Sequence, residues 1–282
     1  RLIIEAIEPR FKNANERIVI TTDRGSKLWF QGEEAGVSLL EIPKTVGGRY
    51  SVFSSVGVFP LAAVGVDIAK LMEGAQRARL DCLKEINNPA LLSAAIIYHN
   101  YKKGCAIHDS FFFHPELESA GKWYRQLMAE SLGEVKTING KNVYIGITPT
   151  VSIGSTDLHS LAQLYLDGPR DKFTTFVTCA KSENIRIKKK SKFLNLVEGI
   201  DDKKASDVMS AILSGIKTAY QKNQLPFVEI TLDSLASKDL GEFLQFKMFE
   251  IIFLGHLMEV NAFDQPGVES YKTETRRILT DA

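Results

Sequence analysis

What is scarce in this sequence narrows the field first. Only three cysteines occur in 282 residues (Cys82, Cys105 and Cys179). They are widely separated and form no CxxC pair. That spacing excludes a disulfide framework and favours a reducing, cytoplasmic setting. The longest apolar run, MFEIIFLGHLM at 248–258, is interrupted by Glu250 and His256. It falls short of the roughly 20 apolar residues that a membrane helix needs, so no membrane partner is expected. Net charge is only +1, and no global field draws in nucleic acid or an anionic surface. Any anion must be held by a local site. Dinucleotide-type and Walker-type glycine loops are lacking. His99, His108, His114 and His256 show no metal-ligand spacing with Cys, Asp or Glu, so neither a metal nor an organic cofactor is expected.

What is present is ordinary for a globular chain: 44% hydrophobic and 24% charged residues, in a length that fits one large or two moderate domains. Short β-branched or apolar runs read as strands: RIVITTD (17–23), SLLEI (38–42), CAIHDSF (105–111), VYIGITPTV (143–151), FTTFVTC (173–179) and FVEITL (227–232). Helical periodicity falls near 2–13, 57–80, 89–102, 115–131, 155–167, 203–222 and 237–260. The alternation predicts an α/β fold with parallel sheets covered on both faces, and ligands outside the carboxyl ends of the strands. The turn in KEINNPALL (84–92) divides the chain into units of about 1–86 and 87–282. The first has few strands for an independent sheet and reads as the latter part of something larger. In IRIKKKSKF (185–193), Ile185 and Ile187 alternate with Arg186 and Lys188, which suits a half-buried strand with a solvated face.

Four stretches could carry chemistry. VGGRYS (46–51) sets two glycines before Arg49, a permanent planar cation that can pair with an oxyanion. AESLGE (129–134) places Glu130 in the last turn of a helix whose apolar face runs through 117, 120, 124, 127 and 128. A carboxylate at that negative helix end is suited to accept a proton; a solvent-facing helix end is the plain alternative. In GSTDLHS (154–160), Ser155 and Thr156 offer cap hydroxyls for a helix with a buried stripe of Leu158, Leu161, Ala162 and Tyr165. His159 and Gln163 stand one turn apart on another face, so His159 is not a core histidine. NAFDQPGVESYK (261–272) breaks an apolar helix and resumes as another, leaving Gln265 and Lys272 for polar contacts.

Taken in order, these four stretches resemble the signatures of the glucose-6-phosphate isomerase (phosphoglucose isomerase) family. TDRGSKL (22–28) and FPLAAVGVDIAKLMEGA (59–75) resemble the segments flanking its arginine motif in bacterial members. The resemblance implies a sugar-isomerase (SIS) fold of doubly wound parallel sheets in three αβα layers. On this reading 1–86 is the latter part of an incomplete first subdomain, and 87–282 is the second subdomain with C-terminal helices. It further implies interconversion of glucose 6-phosphate and fructose 6-phosphate through a cis-enediolate. Glu130 would carry the proton between C2 and C1, and His159 with Lys272 would open the ring. Arg49 would stabilise the enediolate beside Gly47 and Gly48, and Gln265 would contact the substrate. No metal or cofactor is implied. Family members are typically homodimers in which the histidine is donated across the interface. The family's Ser/Thr/Lys-rich phosphate loop has no match before Arg17. Glu134 stands where many members have Lys, and Ala262 where Pro is common. The alternative is a catalytically silent sugar-phosphate-binding module or an inactive fragment; tolerance of mannose 6-phosphate is a variant of the first reading.

Overall fold

The computed structural model describes residues 6, 8–181, 185–188, 199–265 and 267–280. The chain forms two compact units, Arg1–Ala69 and Lys70–Ala282, so the contact boundary lies ahead of the turn at 84–92.

In the first unit, β1 (Val19–Thr22) and β2 (Ser38–Glu41) pair in parallel, with Val19 opposite Ser38 and Thr22 opposite Glu41. They are joined by α1 (Lys27–Ala35), a helix that the strand and helix patterns of the sequence do not indicate. Its start is fixed locally, because the Ser26 hydroxyl accepts from the Trp29 amide at 3.1 Å. The first unit continues through a 3₁₀ helix (Gly48–Phe53) into α2 (Ser55–Ala63). The periodicity over 57–80 is two helices rather than one. Gly65 adopts φ +86 and closes α2 with Gly65 N donating to Ala62 O and Val66 N to Leu61 O, before α3 (Ile68–Cys82) begins. Of the expected helix over 2–13, Ala6 is helical, Glu8–Arg10 is a 3₁₀ turn, and residues 2–5 and 7 lie outside the described residues; a second 3₁₀ turn follows at Ala14–Arg17.

The second unit holds a four-stranded parallel sheet in the order β6 (Thr148–Ile153), β3 (Ile107–Phe112), β7 (Lys172–Cys179), β8 (Phe227–Leu232). α4 (Pro89–Lys102) leads into β3, α5 (Glu118–Leu132) and α6 (Thr156–Asp167) precede and follow β6, α7 (Ala205–Lys222) lies between β7 and β8, and α8 (Ser237–Leu257) and α9 (Val268–Thr280) follow β8. Side chains on β3 alternate between two cores. Phe111 and Phe113 join Phe176, Tyr165 and Tyr220 beneath α6 and α7. Phe112 joins Val177, Leu232 and Phe243 on the side of α5 and α8. The sheet is therefore covered on both faces, as the sequence predicts for a doubly wound α/β fold.

Two strand expectations need correction. VYIGITPTV is not one strand: β5 (Asn142–Ile145) pairs antiparallel with β4 (Glu134–Lys136), and only β6 joins the large sheet. Tyr144 has φ +50, and a Cβ at Gly146 would lie 3.2 Å from Gly133 Cα; the chain must turn there to reach β3. IRIKKKSKF forms only the isolated bridge Arg186–Lys204 among its described residues, with Ile185 exposed to 72%. Residues 189–193 of that stretch lie outside the described residues.

Candidate active site

Arg49 lies in the 3₁₀ turn that follows β2. It is buried, 2% exposed, with its guanidinium 5.4 Å from the ring centre of Tyr50. The Ser51 hydroxyl donates to Gly48 O at 2.7 Å and Tyr50 N donates to Gly47 O at 2.9 Å, which fixes the turn carrying the cation. Gly47 is at φ −65, a value open to any residue, and Gly48 has no positive φ. The pair is not there for backbone handedness. A Cβ at either position would meet nothing within 4 Å, so the glycines leave open space beside the cation.

Glu130 sits in the last turn of α5. Tyr124, Leu127, Met128, Ser131 and Leu132 are buried along that helix, whereas Glu130 is half-buried and accepts from Gln126 Nε2 at 3.0 Å. The apolar stripe read from the sequence thus packs inward and leaves the carboxylate at its margin.

His159 projects from the first turn of α6 and is exposed. Capping here differs from expectation. Ser155 is in the αR region (φ −92, ψ −4) and makes no side-chain cap bond. Asp157 instead ties the helix start back to the strand, accepting from Ile153 N at the end of β6 at 2.7 Å and from the Ser160 hydroxyl at 3.0 Å. The aspartate of the motif therefore holds the turn that presents His159.

Topology separates these two residues. β3 runs to the carboxyl edge of the sheet and α5 returns to the amino edge. There Gly133 abuts Gly146, and Thr148 N donates to Ala106 O at 2.8 Å at the start of β6. His159 follows the other end of β6. Five residue steps along β6 amount to about 17 Å. Within one chain, Glu130 and His159 stand at opposite edges of the same sheet.

Lys272, on α9, donates to Glu269 Oε1 at 2.7 Å. That bond raises the lysine's pKa above its ordinary value and lowers the glutamate's. Gln265 is exposed, its backbone N–H donating to Asp264 Oδ1 at 2.8 Å; Pro266 of the same motif lies outside the described residues. The bonds Gln126–Glu130 and Glu269–Lys272 are each internal to one helix.

The structure adds features that the sequence motifs do not mark. At the carboxyl edge, where chain order reverses around β3, a cavity of about 700 Å³ is lined by His114, Ser155, Thr156, Thr178, Lys181 and Ser206 among others. In the interior, Glu250 and Lys247 form a buried ion pair at 2.9 Å, and the Tyr124 hydroxyl donates to Glu250 Oε1 at 2.5 Å. On the other face, buried Asp109 accepts at Oδ1 from Thr150 (2.6 Å), Ser152 (2.9 Å) and Tyr165 (3.1 Å). Among the described residues, no group of three or more His, Cys, Asp or Glu could hold a metal ion. No described helix is long and apolar enough to cross a membrane.

The family model for phosphoglucose isomerase matches residues 32–282. The chain is 36% identical over 282 residues to the glucose-6-phosphate isomerase of Methanocaldococcus jannaschii, covering 97% of this chain and 66% of that protein. It is 34% identical to the glucose-6-phosphate isomerase of Leptospira biflexa, covering 99% of this chain and 62% of that protein. The chain thus spans about three fifths to two thirds of the length of these curated relatives. A crystal structure of a hypothetical protein from Thermus thermophilus superposes with TM-score 0.92 at 29% identity, covering 99% of this chain and 66% of that one. A glucose-6-phosphate isomerase from Chlamydia trachomatis shares the fold, with TM-score 0.82 at 19% identity over 99% of this chain and 55% of that one.

Proposed function

The chain belongs to the phosphoglucose isomerase family, and from that premise we propose that it carries the proton-transfer machinery of an enzyme interconverting glucose 6-phosphate and fructose 6-phosphate. His159 and Lys272 open the sugar ring. Glu130 takes the proton from C2 and returns it at C1, a contribution of roughly 10²–10⁴-fold for a positioned base. The negative charge that develops on the enediolate oxygen is met by Arg49. A fixed cation of this kind favours the transition state over the substrate because the charge appears only as the proton leaves. The open space at Gly47 and Gly48 admits the sugar to the backbone, and Gln265 binds it. Lys272, kept as an ammonium by Glu269, supplies a donor at neutral pH.

The observation that carries this reading is the separation of Glu130 and His159 across one sheet. A base and a ring-opening group at opposite edges cannot serve one sugar within a single chain. They can do so in a two-fold pair in which each copy lends His159 to its neighbour. The working unit is accordingly a homodimer. Three free thiols, Cys82, Cys105 and Cys179, favour a cytoplasmic setting.

Turnover of fructose 6-phosphate tests the proposal. Glu130→Gln and His159→Ala are each expected to abolish it. Mixing the two inactive variants under exchange should restore about one quarter of wild-type activity, because half of randomly mixed dimers are hybrid and each hybrid holds one intact site. Activity in Glu130→Gln would dismiss the base assignment. Failure of the mixture to recover would dismiss the shared site.

A further inference from the structure

We propose that Tyr124 is a positioning residue for Glu130, holding α5 in rotation and register through the buried Glu250–Lys247 pair. The inference rests on Glu130 as the proton-transfer base. Glu250 and Lys247, both on α8, are 0% and 1% exposed. Lys247 Nζ donates to both carboxylate oxygens, at 2.9 and 3.1 Å. Tyr124 of α5 donates to Oε1 at 2.5 Å, and Ser93 of α4 donates to Oε2. The ammonium also stands 4.4 Å from the centre of the Tyr124 ring. Three helices meet on one carboxylate.

Stability alone does not account for such a knot. Desolvation costs several kcal/mol for each ion, and apolar side chains of similar volume often serve as well. Charged hydrogen bonds differ from apolar contacts in direction: they hold at one rotation of the helix and weaken away from it. Tyr124 precedes Glu130 by six residues, about 9 Å along the axis. A turn of α5 by some 20° would carry a carboxylate at about 6 Å radius through about 2 Å. Displacements near 1 Å can cost on the order of 10²-fold in rate. The leucines and methionine on the inner face tolerate small rotations far better than the tyrosine hydroxyl does.

The test compares two donors to the same carboxylate. Tyr124→Phe keeps the ring and removes the bond from the helix that bears Glu130. Ser93→Ala removes a bond from a helix that does not. For fructose 6-phosphate turnover, Tyr124→Phe is expected to lower kcat about tenfold with KM within about twofold, and Ser93→Ala to leave both unchanged. Wild-type kcat in Tyr124→Phe, or an equal fall in Ser93→Ala, overturns the inference while the Glu130 reading stands. Full activity in Glu130→Gln would remove the reading itself. Hydrogen exchange gives a readout that needs no turnover. Amides 129–132 should exchange about tenfold faster in Tyr124→Phe with those of β3 unaltered, and unchanged protection at 129–132 would equally overturn the inference.

Discussion

Two buried carboxylates lie on opposite faces of one sheet, and they are kept in different ways. Glu250 has a cation: Lys247 at 2.9 Å, with Tyr124 and Ser93 completing the set. Asp109 has none. Three hydroxyls, from Thr150, Ser152 and Tyr165, crowd its Oδ1, while Oδ2 has no hydrogen-bond partner among the described residues. Burial, with Asp157 adding to it, outweighs those three donors and pushes the Asp109 carboxyl up. Each carboxylate anchors a tyrosine on a helix that bears a candidate catalytic residue, Tyr124 on the helix of Glu130 and Tyr165 on the helix of His159. One anchor is held by charge and the other is poised to be held by a proton. Their responses to mutation and to pH should diverge accordingly.

The largest effect should come from stripping the cation. Lys247→Met leaves Glu250 charged and unmatched in the interior and is expected to cost about 3–5 kcal/mol, read from the denaturant midpoint. Removing both charges, with Lys247→Met and Glu250→Leu together, should return most of that loss. If the single variant cost under about 1 kcal/mol, the cation would not be what keeps Glu250 in the interior, and the contrast with Asp109 would collapse.

Next in size is an acid limb. His108, beside Asp109 on β3, points to the opposite face, stacked 5.5 Å from Phe173 and edge-on to Tyr124 at 6.0 Å. Burial first, and Lys247 second, lower its pKa to about 3 from 6.5. The unfolded chain binds a proton below pH 6.5 that the folded chain refuses. Stability from this group is therefore complete above pH 6.5 and is lost as pH falls toward 3, with a slope approaching about 1.4 kcal/mol per unit. In His108→Phe that part of the acid slope should vanish. Parallel stability curves for the two proteins between about pH 6.5 and 4 would refute it.

Much of this architecture could be read from the chain. α4 begins where Asn88 caps and Pro89 follows, and β8 coincides with FVEITL, because turn chemistry and β-branched runs act locally. The helix over 27–35 is hard to read because its signal is a single serine cap ahead of a mixed-polarity stretch. The split falls at Gly146 and Ile147, where Gly146 lies against Gly133, a contact no local pattern announces. The four motifs mark Arg49, Glu130, His159 and Lys272. That Glu130 and His159 lie at opposite sheet edges is implicit in the order helix, strand, helix, although the motifs alone suggest neighbours. The knots at Glu250 and Asp109 are hidden, since each is assembled from several segments and its polar members sit within apolar runs.

Asp109→Asn sets the proton-held anchor against the charged one at the smallest scale. The amide keeps an oxygen for the three hydroxyls but places an NH₂ where Oδ2 now lacks a partner. In acid, where Asp109 carries a proton, that exchange should cost about 1 kcal/mol. The balance changes as pH rises. A carboxyl whose folded pKa is raised contributes stability that is present in acid and lost between the unfolded value, near 3.8, and the folded value above it. Asparagine has nothing to titrate. The wild type should therefore lose ground against Asp109→Asn as pH climbs above about 4 and level off once Asp109 is ionised, the reverse of the His108 trend. Thermal melts of both proteins at matched pH would show it. A difference independent of pH would mean that Asp109 ionises as readily when folded as when unfolded, and that the three hydroxyls compensate its charge as fully as Lys247 does for Glu250.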